Sequence, residues 1–158
     1  MRRLHWICLP LLFTVALAQG DYSAGMSAYQ RGDYAAALAH WRPLAEAGSP
    51  EAQFNVGLLH AKGLGVETDA AEAARWYELA AEQNFAQAQY NLAELYETGR
   101  GVPKDLTLSY VWFKLAGASK YADAKRRRKV AAKRLTPHEL AQADLMAREW
   151  LRVRKPEK

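Results

Sequence analysis

Residues 52–81 read AQFNVGLLHAKGLGVETDAAEAARWYELAA, and residues 88–117 read AQYNLAELYETGRGVPKDLTLSYVWFKLAG. The second stretch is the first displaced by 36 residues. Ala52/Ala88, Gln53/Gln89, Asn55/Asn91, Leu59/Leu95, Gly63/Gly99, Gly65/Gly101, Val66/Val102, Asp69/Asp105 and Trp76/Trp112 coincide. Phe54/Tyr90, Val56/Leu92 and Tyr77/Phe113 keep their character. Self-similarity at such a period is the mark of stacked structural units. A shorter copy, GMSAYQRGDYAAALAHWRPLAEAG, precedes them from Gly25 to Gly48. Its Trp41, Leu44 and Ala45 align with Trp76, Leu79 and Ala80, and it turns on Gly32-Asp33 where the later copies carry G-x-G-V-x-x-D.

Each copy predicts two helices. In helix A, Ala52, Val56, Leu59 and Gly63 fall on one stripe of a 3.6-residue period, with small residues Gly57 and Ala93 at mid-helix. A glycine there costs about 1 kcal/mol, so it points to a close neighbour. In helix B, Ala73, Trp76, Tyr77 and Ala80 line one face, and Ser109, Trp112, Phe113 and Ala116 repeat it. Asp69 and Asp105 are placed as N-caps. No run shows the alternation of a strand. One hairpin cannot bury both faces, whereas stacked hairpins can. The expected fold is therefore all-α, a right-handed α-solenoid of helix-turn-helix units with Trp41, Trp76 and Trp112 inside the stack.

Outward from the repeats, the chain changes character. Residues 1–18, MRRLHWICLPLLFTVALA, pair Arg2 and Arg3 with an apolar run that ends in Ala-Leu-Ala, the layout of a secretory signal peptide. The apolar run falls short of the roughly 20 residues that span a bilayer. A mature chain from about Gln19 contains no cysteine, since Cys8 is the sole one. That excludes a disulfide framework and a cysteine-based zinc site. Three units are expected at about 21–50, 51–86 and 87–120, basic capping helices over 121–152, and a flexible tail over 153–158. In the cap, Thr136, Pro137 and Glu139 form a capping box with a helix-starting proline, and Leu140, Ala143, Ala147, Trp150 and Leu151 share one side of the helix that follows. A terminal unit of this kind is expected to turn a polar face outward.

The pattern A-Q-x-N-L-x-x-L-Y-x-x-G-x-G-V-x-x-D…W-x-x-x-A resembles the Sel1-like repeat, a bacterial relative of the tetratricopeptide repeat with a longer inter-helix loop. The first copy, lacking four loop residues, looks more like an ordinary tetratricopeptide unit. The resemblance implies an exported adaptor that binds a protein or peptide on a concave face lined by helix A, without catalysis or cofactor. Carried onto this chain, that face comprises Phe54, Asn55, Leu58 and Lys62 in the second unit and Tyr90, Asn91, Glu94 and Glu97 in the third. Asparagine at this position in relatives can bond a bound peptide. Alternatively Asn55 and Asn91 satisfy groups between repeats, since buried amides need partners. A secreted branch of the family is associated with β-lactam binding and hydrolysis, but it carries a cysteine pair per repeat and this chain has none. An envelope hydrolase or cell-wall-binding factor of that type is the alternative.

No catalytic constellation is visible. His40, His60 and His138 fall in different units, and no zinc-binding histidine motif occurs. His60 stands where a tyrosine is expected and reads as a half-buried core residue, while His138 reads as solvated. The G-x-G segments join helices and follow no strand, so they are turns rather than nucleotide loops. Glu94 and Glu97 read as solvated surface unless a pocket gathers them. Formal net charge is +5, but residues 19–119 carry 7 basic and 12 acidic side chains while residues 120–158 carry 13 and 5. The densest block is Lys125, Arg126, Arg127, Arg128 and Lys129. Three readings are open: a solvated face that also pairs with the acidic repeats, a contact for an anionic envelope surface or acidic partner, and nucleic acid. Export and the missing aromatic interleaving speak against the last.

Overall fold

The computed structural model describes residues 22–119 and 121–153. The expected signal peptide and all of the tail beyond residue 153 lie outside the described residues. Among the described residues eight helices follow in chain order. They are α1 (residues 22–30), α2 (Tyr34–Glu46), α3 (Pro50–Lys62), α4 (Ala70–Glu82), α5 (Ala86–Thr98), α6 (Leu106–Ala118), α7 (Ala122–Ala132) and α8 (Pro137–Val153). No strand occurs among the described residues. Successive helices pack as pairs, α3 on α4 and α5 on α6, and each pair meets the next through α2 with α3, α4 with α5 and α6 with α7.

Local chemistry sets the boundaries. The carboxylates of Asp33, Asp69 and Asp105 accept from backbone N–H groups in the first turns of α2, α4 and α6. Each satisfies donors that a helix start leaves open. Ser49 does the same for α3, with Pro50 following at the first position. Helices α3 and α5 end on left-handed glycines, Gly63 and Gly99. The second glycine of each G-x-G segment has a different task. A Cβ on Gly65 would lie 2.5 Å from the Ala35 backbone, and one on Gly101 would lie 2.2 Å from Ala70. Each loop therefore rests on the first turn of helix B in the preceding unit. The segments are turns, as expected from their context, and they are also joints between units.

The core forms two clusters. One gathers Trp41, Val56, Leu59 and Trp76 with small residues of α1–α3, and the other runs from α4 to α8. Neighbours Trp76 and Tyr77 belong to different clusters, so α4 is shared by two interfaces. Trp41, Trp76 and Trp112 are all buried, as the repeat pattern predicts. The mid-helix glycine also has its reason, since a Cβ on Gly57 would sit 2.9 Å from the Tyr77 ring. Gln53 and Gln89 donate to the carbonyls of Ala45 and Ala81, each at 3.1 Å. The A-Q of the repeat thus adds a side-chain donor to a carbonyl in the last turn of the preceding helix B, which the Gly48 or Asn84 N–H also reaches.

The C-terminal segment is a fourth helix pair. Helix α7 begins 36 residues after α5, and Ala124 and Ala131 stay buried where Ala88 and Leu95 are buried in α5. Helix α8 departs from the pattern by packing on α6. Asp144 accepts from the Tyr110 hydroxyl at 2.8 Å and from Lys114 Nζ at 2.6 Å, and Trp150 meets Trp112 edge to face at 4.9 Å. The Thr136/Glu139 capping box forms as expected. The outward face of α8 is not uniformly polar, however. Leu145 and Val153 are 63% and 66% exposed, interleaved with Gln142, Glu149 and Arg152. Docking on α6 consumes Ala143, Ala147 and Trp150 and leaves Met146 and Leu151 exposed as well, so Leu151 does not join the packed side on which the sequence pattern put it.

Candidate interaction groove

The ring ladder between units comes first. Phe54 of α3 lies 5.8 Å from Tyr77 and 5.3 Å from Phe85, and one repeat later Tyr90 lies 5.3 Å from Phe113 and 5.2 Å from Tyr121. Such tilted and edge contacts suit aromatic pairs. They fix the spacing of consecutive A helices and leave a depression between α3 and α5.

That depression has a volume of about 390 Å³. Phe54, Leu58, Ala61 and Lys62 of α3 form one wall, Asn91, Glu94 and Leu95 of α5 the other, Tyr77 of α4 the floor, and Arg100 in the following loop one end. The structure therefore brings together Phe54, Leu58, Lys62, Asn91 and Glu94 of the expected face. Asn55, Tyr90 and Glu97 lie apart from it. Asn55 donates to the Tyr22 hydroxyl at 3.1 Å, a bond between the first two units. Tyr90 belongs to the ring ladder. Glu97, with a side chain only 11% exposed, is held by Arg127 and Arg134. Sequence reading missed Ala61, Tyr77, Leu95 and Arg100. The 36-residue periodicity assigns each helix an inner face, whereas this floor belongs to a helix B residue seen through the gap between two A helices.

Burial pushes the Tyr77 hydroxyl up to about 12, while the Asn91 amide and the Arg100 charge pull against it. The floor is thus a neutral phenol at any physiological pH. Among the described residues, Lys62 has no hydrogen bond or ion pair, and Arg100 donates only to the Ala61 carbonyl at 3.4 Å. Glu94 already has Arg127 at 3.5 Å. Lys62 and Arg100 are therefore the groove charges without an ion-pair partner among the described residues, while Glu94, 43% exposed, shares Arg127 with Glu97.

The basic block divides by helix face. Arg127 turns inward to Glu94 and Glu97, with its guanidinium 5.4 Å from the Phe113 ring centre. Arg128 is half-buried and lowers the Tyr110 hydroxyl, which burial and then Asp144 raise to about 12. Lys125, Arg126 and Lys129 are exposed together with Lys133, and Arg126 reaches Asp123 at 3.4 Å. Part of the block thus pairs with the acidic repeats, and part forms a solvated stripe.

His40, His60 and His138 stand on α2, α3 and α8. His60 is more buried than expected, at 6% exposed, and neither ring nitrogen has a partner among the described residues. His138 is exposed. No group of three metal-ligating side chains occurs among the described residues.

A stack of helix pairs with a side-chain-lined groove between consecutive A helices defines a helical repeat solenoid. The Sel1 repeat model matches residues 50–85 and 86–121, so the chain carries two Sel1 repeats. The solved structures similar to it include the following two. One is c5321, a protective antigen present in uropathogenic Escherichia coli strains and displaying an SLR fold, 30% identical with a TM-score of 0.81 over 85% of this chain. The other is a Sel1 repeat protein from Oxalobacter formigenes, 36% identical with a TM-score of 0.65 over 68% of this chain. The chain spans 30% and 44% of the length of those two proteins. No curated protein sequence matches it. Sel1 repeats are typically protein-interaction modules and generally non-catalytic scaffolds.

Proposed function

We propose that this protein is a non-catalytic interaction module of the bacterial envelope that holds a protein or peptide segment in the groove between α3 and α5. One observation carries the reading. At the junction of its two full repeats the chain keeps open a groove of about 390 Å³ with apolar walls and two uncompensated cations. A preformed groove built on paired helices needs little ordering on binding. Export through the segment 1–18 supplies the compartment, and the exposed stripe Lys125, Arg126, Lys129 and Lys133 supplies a contact for anionic lipid headgroups.

The test is affinity purification from the envelope fraction with the wild-type chain and a Leu58→Arg variant of unchanged helical circular dichroism. Loss of one specific protein from the variant's eluate supports the groove, and an identical eluate refutes it. A fusion of residues 1–22 to a periplasm-dependent reporter enzyme checks export, with activity expected. Sedimentation with anionic vesicles at rising salt checks the stripe, with binding that salt abolishes. Incubation with nitrocefin is expected to give no turnover, and turnover would revive the hydrolase alternative.

A further inference from the structure

The junction that forms the groove recurs one repeat later, and there it is filled. Between α5 and α7, one repeat beyond the groove, Arg127 stands at the position of Asn91 and fills the space. Its guanidinium faces the Phe113 ring, bonds Glu97 and pairs with Glu94 at 3.5 Å. In that filled junction the chain itself shows which chemistry suits an aromatic floor flanked by two carboxylates: a cation.

The open junction keeps the aromatic floor and changes the walls. Tyr77 replaces Phe113, while Leu58 and Ala61 stand where Glu94 and Glu97 stand one repeat later. Lys62 and Arg100 border it without a carboxylate partner among the described residues, and Glu94 on the far wall is already engaged by Arg127. The sign of the site is therefore inverted relative to its filled copy.

We propose that the α3–α5 groove selects an acidic peptide segment in which a carboxylate sits beside an aliphatic or aromatic side chain. The apolar side chain lies against Leu58 and the Tyr77 ring, and the carboxylate takes charge-assisted hydrogen bonds from Lys62 and Arg100. A cationic peptide is rejected, because it brings like charge to two unpaired cations. This specificity rests on the groove being the partner site.

A random peptide library displayed on phage and selected on the purified full chain tests it. The expected outcome is enrichment of peptides with Asp, Glu or a free C-terminal carboxylate within two residues of an apolar side chain. A selected peptide is then measured by fluorescence polarisation, alongside its Asn or Gln form. Neutralising the carboxylate is expected to weaken binding about tenfold in the wild type. In the Lys62→Ala/Arg100→Ala double variant the two forms should bind alike, with the apolar contribution kept. Selected peptides that lack a carboxylate, or a carboxylate preference that survives in the double variant, overturn the inference. In either case Leu58→Arg still abolishes binding if the groove reading stands. Binders indifferent to Leu58→Arg, or no binder at all, refute the groove reading itself and the specificity with it.

Discussion

Gly99 and Gly101 lie two residues apart in one loop, share nearly the same backbone conformation, and should differ sharply in what a methyl group costs. Their φ angles are +76° and +72°, so alanine at either position meets the left-handed penalty of about 1–2 kcal/mol. At Gly99 a Cβ would meet Lys104 Cβ at 3.2 Å and its backbone nitrogen at 3.5 Å, a contact that a loop shift of a few tenths of an ångström relieves. At Gly101 it would lie 2.2 Å from the carbonyl of Ala70, in the first turn of α4. Backbone there cannot yield without moving the loop off the preceding unit. Overpacking of this kind adds about 1–3 kcal/mol. Gly101→Ala should therefore unfold well below Gly99→Ala, with the gap read as about 4 °C per kcal/mol for a chain of this size. Thermal melts followed by helical circular dichroism measure both variants under one condition. Equal midpoints would refute the idea that the inter-helix loops are joints between repeats.

Three further outcomes follow from the core and the cap. Trp76→Ala removes an indole that is 8% exposed from the first core cluster and should cost about 3–5 kcal/mol in urea unfolding; an unchanged midpoint would remove the stacking claim. His60→Phe should stabilise by about 1 kcal/mol, because it deletes two buried ring nitrogens that have no partner among the described residues, at a position where Tyr29 and Tyr96 stand in the neighbouring units, and a lower melting midpoint would count against this. The Lys114 hydrogen bond to Asp144, outweighing burial, holds that carboxyl below its ordinary value of 3.8. Its contribution is present above that value and lost as pH falls through the lower folded one. The gap in melting midpoint between wild type and Asp144→Asn should thus be open at about pH 7 and closed by about pH 2, and a gap independent of pH would contradict the pairing.

The legible parts of the fold are those that local chemistry dictates. Asp33, Asp69 and Asp105 cap helices because a short carboxylate after a glycine turn has little else to do there. The tryptophans at repeat spacing are buried because nothing else shields them. The fourth helix pair was hidden by substitution. Helix α7 keeps only Ala124, Ala131 and the ring of Tyr121 from the repeat pattern, and Gln89, Asn91 and Leu92 have become Lys125, Arg127 and Arg128. A charge run reads as surface, yet Arg127 is an interior piece, since its carboxylate partners come from a helix 30 residues away. The groove was half legible for the same reason. Leu58 and Lys62 announce themselves on the A helix, whereas Tyr77 reads as core and Arg100 as loop, and only the spacing of the packed units brings them together.

The most direct test of the interaction groove is site-specific photo-crosslinking. A benzophenone amino acid replaces Leu58 in the groove in one variant, and Leu79, an exposed residue of α4 outside it, in another. Irradiation of envelope preparations is predicted to yield a discrete crosslinked species from position 58 and none from position 79. Crosslinks from position 79 with none from position 58 would contradict the account.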